Sequence, residues 1–80
     1  MNYEVWLNEA QKRLLQLGIG QEFKLKDLFS VSEWKEEIGT YIRSFGTKFS
    51  ENVTNRNIIG VEKTGKSNKP YRRISINIKR

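Results

Sequence analysis

Cysteine and histidine are both absent from this chain of 80 residues. Without cysteine there is no disulfide, no thiolate metal ligand and no thiol nucleophile. Without histidine the chain lacks the commonest metal ligand and the commonest general base. The carboxylates show no paired pattern that could supply an acid and a base. We therefore predict that the protein is not an enzyme and that it uses no metal or cofactor.

Long apolar runs are missing as well. No stretch approaches the ~18 apolar residues of a membrane-spanning helix, and the N-terminal residues lack the apolar centre of a signal peptide. The expected location is therefore cytoplasmic, without a membrane partner. The length predicts a single domain over residues 1–80, with a core of modest size.

Charge is distributed unevenly along the chain. Residues 1–40 contain five Lys or Arg and seven Asp or Glu, a net charge of −2. Residues 41–80 contain ten Lys or Arg and only two glutamates, a net charge of +8, which gives the whole chain its +6. Basic charge concentrated in one half predicts a surface that binds a polyanion, and nucleic acid is the expected partner.

Three helices are predicted from the spacing of apolar residues. The first begins at the cap Asn2 and stops at Gly18. A short strand and a helical turn follow within residues 20–29, and Ser32 is the expected cap of the second helix. The third helix carries an apolar stripe at a period of about 3.6 residues. This stripe consists of Ile38, Tyr41, Ile42, Phe45, Phe49 and Val53. A break near Gly46 is left open, because glycine weakens a helix by about 1 kcal/mol relative to alanine.

A β-hairpin is predicted at the end of the chain, with strands at 57–63 and 71–78. It contains GVEKTGKS, residues 60–67, which has the spacing of a phosphate-binding loop. Such a loop must open a helix, whose N-terminal amides hold the phosphates. The residues after Ser67 alternate as a strand instead, so we predict a hairpin tip and no nucleotide binding.

This order of elements resembles that of winged helix-turn-helix domains. Within it, eleven residues resemble a family of short, largely uncharacterised proteins of Gram-positive bacteria and their phages and plasmids. They are Phe23, Leu25, Asp27, Leu28, Phe29, Trp34, Gly39, Arg43, Gly46, Phe49 and Tyr71. The resemblance implies an α+β fold with a three-helix core and a C-terminal β-hairpin wing. It also implies that the third helix enters the DNA major groove, although the superfamily includes members that bind only proteins.

Together with the basic residues, the resemblance predicts a small double-stranded-DNA-binding protein, a transcriptional or mobile-element regulator. Helix 38–53 would lie in the major groove and the 62–72 wing on the DNA backbone. Arg43 suits a guanine edge or a phosphate, and the glycines at 39 and 46 would let the backbone approach the groove. The candidate DNA-binding residues are Thr40, Arg43, Thr47, Lys48, Arg56, Lys63, Lys66, Ser67, Asn68, Lys69, Arg72 and Arg73.

Other partners stay open at this point. Single-stranded nucleic acid is disfavoured, because most of the aromatic residues lie at apolar-stripe positions rather than on an exposed stacking surface. They are Trp6, Phe23, Phe29, Trp34, Phe45 and Phe49. A protein-interaction module that modulates a host protein is the alternative, with Glu33, Glu36 and Glu37 beside Trp34 as a contact or a solvated face. A homodimer is a further option.

Overall fold

The computed structural model describes residues 2–76, which form a small α+β domain. Within this range there are two α-helices, α1 (Tyr3–Leu14) and α2 (Ile42–Thr54), and three short strands. The strands are β1 (Glu22–Phe23), β2 (Val61–Lys63) and β3 (Tyr71–Arg73). Strand β3 is central and pairs antiparallel with β1 on one side and β2 on the other. In this range no helix is long and apolar enough to cross a membrane.

Helix α1 begins as the sequence predicts and ends earlier. The Asn2 side chain accepts a hydrogen bond of 3.2 Å from the backbone N–H of Val5, which confirms it as the N-cap. The last helical residue is Leu14, so the helix stops before the predicted end at Gly18. Ala10 and Leu14 are fully buried and join α1 to the core.

The helical turn predicted within residues 20–29 is present as a 3₁₀ turn at Leu25–Leu28. In place of the second predicted helix there is a π-helical segment at Glu33–Ile38, followed by a second 3₁₀ turn at Gly39–Tyr41. The prediction that Ser32 is the cap is wrong, since its side chain makes no capping hydrogen bond. Ser30 is the cap: its Oγ accepts from the Glu33 N–H at 3.1 Å, and Glu33 Oε1 accepts from the Ser30 N–H at 2.8 Å. This reciprocal pair is a capping box.

Helix α2 begins at Ile42, so the prediction that it starts at Ile38 is wrong. Gly39 has φ 43° and ψ −116°, which lies outside the helical region and separates the π-helical segment from α2. The helix then continues through Gly46 to Thr54 without a break. Four residues of the predicted apolar stripe are buried, namely Ile38, Phe45, Phe49 and Val53. The other two, Tyr41 and Ile42, are exposed, so the prediction is wrong at these positions.

The hairpin exists with strands shorter than predicted. Val61 pairs with Arg73 and Lys63 with Tyr71, and residues 64–70 form the tip. The segment GVEKTGKS therefore lies in β2 and the tip and is followed by β3, which confirms the interpretation as a hairpin. Residues 74–76 lie outside the strand, and the predicted strand positions 77 and 78 lie outside the described residues.

The core is one cluster that contains residues from both helices and all three strands. Phe45 and Phe29 pack edge to face at 5.9 Å between ring centroids, and Phe49 packs on Tyr71 at 5.0 Å. Trp6 and Trp34 are only partly buried at its margin, although the sequence predicts both inside. The buried apolar residues are Ala10, Leu14, Phe23, Leu25, Leu28, Phe29, Ile38, Phe45, Phe49, Val53, Ile58, Val61 and Tyr71.

Arg13 joins α1 to the π-helical segment. Its Nη1 and Nη2 donate to the two carboxylate oxygens of Glu33 at 2.7 and 2.9 Å, a bidentate pair. Nη1 also donates to the Leu28 carbonyl at 3.0 Å, and Nε donates to Glu9 at 2.8 Å. The guanidinium lies 5.1 Å from the Phe29 ring centroid. One arginine therefore holds three parts of the chain together.

We expect this pair to make stability depend on acid pH. The hydrogen bonds from Arg13, aided by that from the Ser30 backbone, lower the pKa of Glu33 from 4.5 to about 2. Because the folded pKa is the lower one, the stabilisation is present above about pH 5 and is lost as the pH falls through 4.5 towards 2. In urea unfolding, the free energy of unfolding of the wild type should fall by about 1–3 kcal/mol across this range, and Glu33→Gln should not show this loss.

Equal acid sensitivity of Glu33→Gln and the wild type would contradict the role given to the Arg13–Glu33 pair. Glu37→Gln, at an exposed position, is the matched control.

Candidate nucleic-acid interface

The outward face of α2 carries the predicted groove-binding residues. Because Phe45 and Phe49 point into the core, the opposite face of the helix is turned to solvent. Arg43, Thr47 and Lys48 are exposed there, and Thr40 is exposed on the turn that precedes the helix. These four side chains line one shallow depression together with Ser44 and Glu51. The structure thus brings four predicted contacts together on one surface.

Arg43 is the free cation of this face. Within residues 2–76 its guanidinium has no ion pair, and its backbone carbonyl accepts a hydrogen bond of 3.2 Å from Thr47 Oγ1. Lys48 is more constrained, since its Nζ lies 5.7 Å from the Tyr3 ring centroid. The Tyr3 hydroxyl is 2.6 Å from Ser44 Oγ, which fixes the start of α1 beside α2. Arg43 is therefore the side chain best able to reach a ligand.

Arg56 belongs to the end of α2. It has φ 64°, the left-handed conformation, and its N–H donates to the Val53 carbonyl at 3.2 Å. The N–H of Asn57 donates to the Asn52 carbonyl at 2.9 Å, which completes a Schellman motif with Arg56 at the position where glycine is usual. The side chain is exposed, and its positive charge suits the C-terminal end of the helix dipole.

Three cations of the wing are already paired with carboxylates. Lys66 Nζ lies 2.9 and 3.0 Å from the two oxygens of Glu22, and Arg72 Nη2 donates to the same carboxylate at 3.0 Å. Arg72 Nη1 donates to Glu62 at 2.7 Å, and Lys69 Nζ lies 3.7 Å from Asp27. The hydrogen bonds from Lys66 and then Arg72 lower the pKa of Glu22. The wing therefore offers less free positive charge than its sequence suggests.

The other predicted wing residues divide into two groups. Lys63 donates from Nζ to Thr54 Oγ1 at 2.7 Å, and Ser67 and Asn68 are exposed at the tip. Arg73 is only 8% exposed, and its Nη1 donates to the backbone carbonyls of Gly60 and Ile74. Its Nε has no hydrogen-bond partner in the described part of the chain. The buried position of Arg73 removes it from the candidate interface.

Three lysines that the sequence analysis left out lie beside Trp34, and two of them also lie near the wing. Lys24, Lys26 and Lys35 come from the half of the chain with net negative charge, and none has an ion pair in the range 2–76. Lys24 and Lys26 line a cleft between α2 and the tip, to which Gly46 contributes. A Cβ added at Gly46 would meet no atom within 4 Å, so the α2 backbone is open to solvent there. The sequence does not indicate that these three lysines lie close together, and only the fold shows it.

The fold and this surface define a small basic α+β domain with an exposed helix face beside a hairpin tip. The family of the domain of unknown function DUF1413 matches residues 8–73. The match covers most of the chain, so the protein belongs to this family. No curated protein and no solved structure matches the chain. The family description carries no activity, and the function is inferred from the geometry.

Proposed function

We propose that the protein binds double-stranded DNA as a small transcriptional or mobile-element regulator of the winged helix-turn-helix kind. The observation that carries this proposal is the outward face of α2, where Thr40, Arg43 and Thr47 are exposed and Arg43 has no ion pair among the described residues. The order of helix α1, strand β1, short helical segments, helix α2 and hairpin is consistent with it. The buried rings of Phe45 and Phe49 hold this face in a fixed orientation.

In this proposal α2 supplies the contacts to base edges. The major groove is about 12 Å wide and admits an α-helix. The short side chains of Thr40, Ser44 and Thr47 keep the face narrow, while Arg43 is long enough to reach a guanine edge. The carboxylate of Glu51 on the same face disfavours the approach of phosphates at that end. The proposal therefore places the base contact near the start of α2.

The contacts to the DNA backbone come from the hairpin tip. Lys63, Ser67 and Asn68 are exposed on the wing. These groups would neutralise phosphates and position α2 without reading the sequence. Because Lys66 and Arg72 share the carboxylate of Glu22, they contribute less to binding than free cations would.

Glu22→Gln is expected to strengthen DNA binding. The substitution removes the only carboxylate paired with Lys66 in the described residues, while Arg72 keeps its ion pair with Glu62. Since Lys66 becomes available to a phosphate, we expect about a three- to tenfold gain in affinity. The plot of log K against log salt should become steeper by about one unit. Fluorescence anisotropy of a labelled duplex between about 50 and 200 mM salt measures both quantities.

The matched control for this test is Glu37→Gln, which removes the same charge at an exposed position of the π-helical segment. It should change affinity by less than about twofold, because only the general charge of the protein changes. Equal effects of the two substitutions, or weaker binding by Glu22→Gln, would show that the wing cations do not contact DNA.

A further inference from the structure

Trp34 is the centre of a second exposed surface. One face of its ring stacks on Phe29 at 6.1 Å, and the residue is only partly buried. Two adjoining grooves share Trp34 and Lys26 as lining residues. The first also contains Val31, which is 71% exposed, and the second contains Ile42, which is 36% exposed. We call these two grooves together the Trp34 surface.

The charged rim of the Trp34 surface is positive. Lys24, Lys26 and Lys35 line the grooves and have no ion pair within residues 2–76. Asp27 is the acidic residue in the lining, and Lys69 lies 3.7 Å from its carboxylate. Glu33, close by in sequence, is engaged by Arg13. Glu36 and Glu37 are exposed on the same segment but do not line the two grooves. An apolar centre within a ring of free lysines complements a ligand that combines apolar groups with carboxylates.

We infer that the Trp34 surface binds an acidic amphipathic peptide segment of another protein. Its apolar side chains would cover Val31, Trp34 and Ile42, and its carboxylates would pair with Lys24, Lys26 and Lys35. A partly exposed tryptophan in a groove is a frequent anchor of protein interfaces. This site goes beyond the proposed DNA binding, because Arg43, Thr47 and Lys48 line a separate depression of α2.

Two other occupants fit less well. A DNA backbone would gain little from covering Val31, Trp34 and Ile42, because phosphates remain hydrated against apolar side chains. A second copy of the chain carries a net charge of +6. Five of its nine side-chain carboxylates are in ion pairs within the fold. The other four, Glu4, Glu36, Glu37 and Glu51, are divided among three separate helical elements rather than forming one acidic segment. The charge of the rim therefore selects an acidic protein segment.

The test is selection of random displayed peptides of about 16 residues on the full chain. The selected consensus should contain several Asp or Glu together with apolar residues spaced three or four apart. A synthetic peptide of that consensus should bind Lys26→Glu and Lys35→Glu about tenfold more weakly each than the wild type. Trp34→Ala should weaken peptide binding by at least as much. Lys26→Glu and Lys35→Glu change surface residues and should leave the fold intact. Arg43→Ala should bind the peptide as the wild type does.

Several outcomes would overturn the inference. They are the absence of any enriched consensus, a basic or wholly polar consensus, and binding that survives the combined Lys26→Glu and Lys35→Glu substitutions. Displacement of the peptide from Arg43→Ala by a duplex of about 20 base pairs would instead assign the surface to DNA, because this variant lacks the proposed α2 contact. Arg43→Ala separates this test from that of the proposed function, because it should weaken duplex binding and leave peptide binding unchanged.

Discussion

Phe45→Ala is expected to lower the free energy of unfolding by about 3–5 kcal/mol. The ring is fully buried, packs edge to face on Phe29 at 5.9 Å and lies on the inward face of α2. Truncation leaves a cavity between α2 and Phe29 at the centre of the core. Such a loss is a large fraction of the stability of a domain of this size.

Urea unfolding followed by circular dichroism measures this loss. Val31→Ala is the control, because its side chain is 71% exposed and should change stability by less than about 0.5 kcal/mol. A loss below about 1 kcal/mol for Phe45→Ala would mean that α2 does not pack through this face.

Gly60→Ala is the second substitution with a large expected cost, about 2–4 kcal/mol. Gly60 has φ +81°, and an added Cβ would lie 2.7 Å from Leu15 Cδ2 and 2.9 Å from Ile76 Cγ2. The Leu15 methyl can move, whereas Ile76 is β-branched and stiffer. The Gly60 carbonyl also accepts the Ile74 N–H at 2.9 Å, so the backbone at the base of the hairpin cannot shift away freely.

Gly65→Ala separates the backbone strain from the steric clash in the cost of Gly60→Ala. Gly65 has φ +83°, almost the same as Gly60, but its Cβ would meet no atom within 4 Å. Its substitution should therefore cost only the backbone term of about 1–2 kcal/mol. Thermal or urea unfolding of both variants gives the steric term by difference. Equal losses would show that the side chains of Leu15 and Ile76 do not crowd the added methyl group at Gly60.

Local patterns allowed much of the fold to be predicted. The Asn2 cap and the stripe containing Phe45 and Phe49 depend on residues within one or two turns, and both are present. The second helix was predicted wrongly because the spacing of Trp34 and Ile38 does not distinguish an α-helix from the π-helical segment that is present. The start of α2 depends on the backbone angles of Gly39, which spacing does not reveal.

The candidate site could be predicted only in part, because its electrostatics are set by distant residues. Arg43 was found from the polar face of its own helix. The pairing of Lys66 with Glu22 joins residues 44 apart in sequence, so no local pattern indicates it. Arg73 was predicted to be exposed because Ile74, Ile76 and Ile78 alternate with polar residues, and the same alternation places Arg73 on the polar face. Strand β3 ends at Arg73 and has the opposite phase, which buries that side chain.

The most direct test of the proposed function is duplex binding by Arg43→Ala compared with Lys12→Ala. Both remove one positive charge, and the Lys12 side chain is 71% exposed on α1. On a duplex selected from a random pool, we predict that Arg43→Ala binds about tenfold or more weakly, which corresponds to the loss of a base contact. Lys12→Ala should bind within about twofold of the wild type. Equal affinities of the two variants, or wild-type binding that does not change with salt, would contradict DNA recognition by α2.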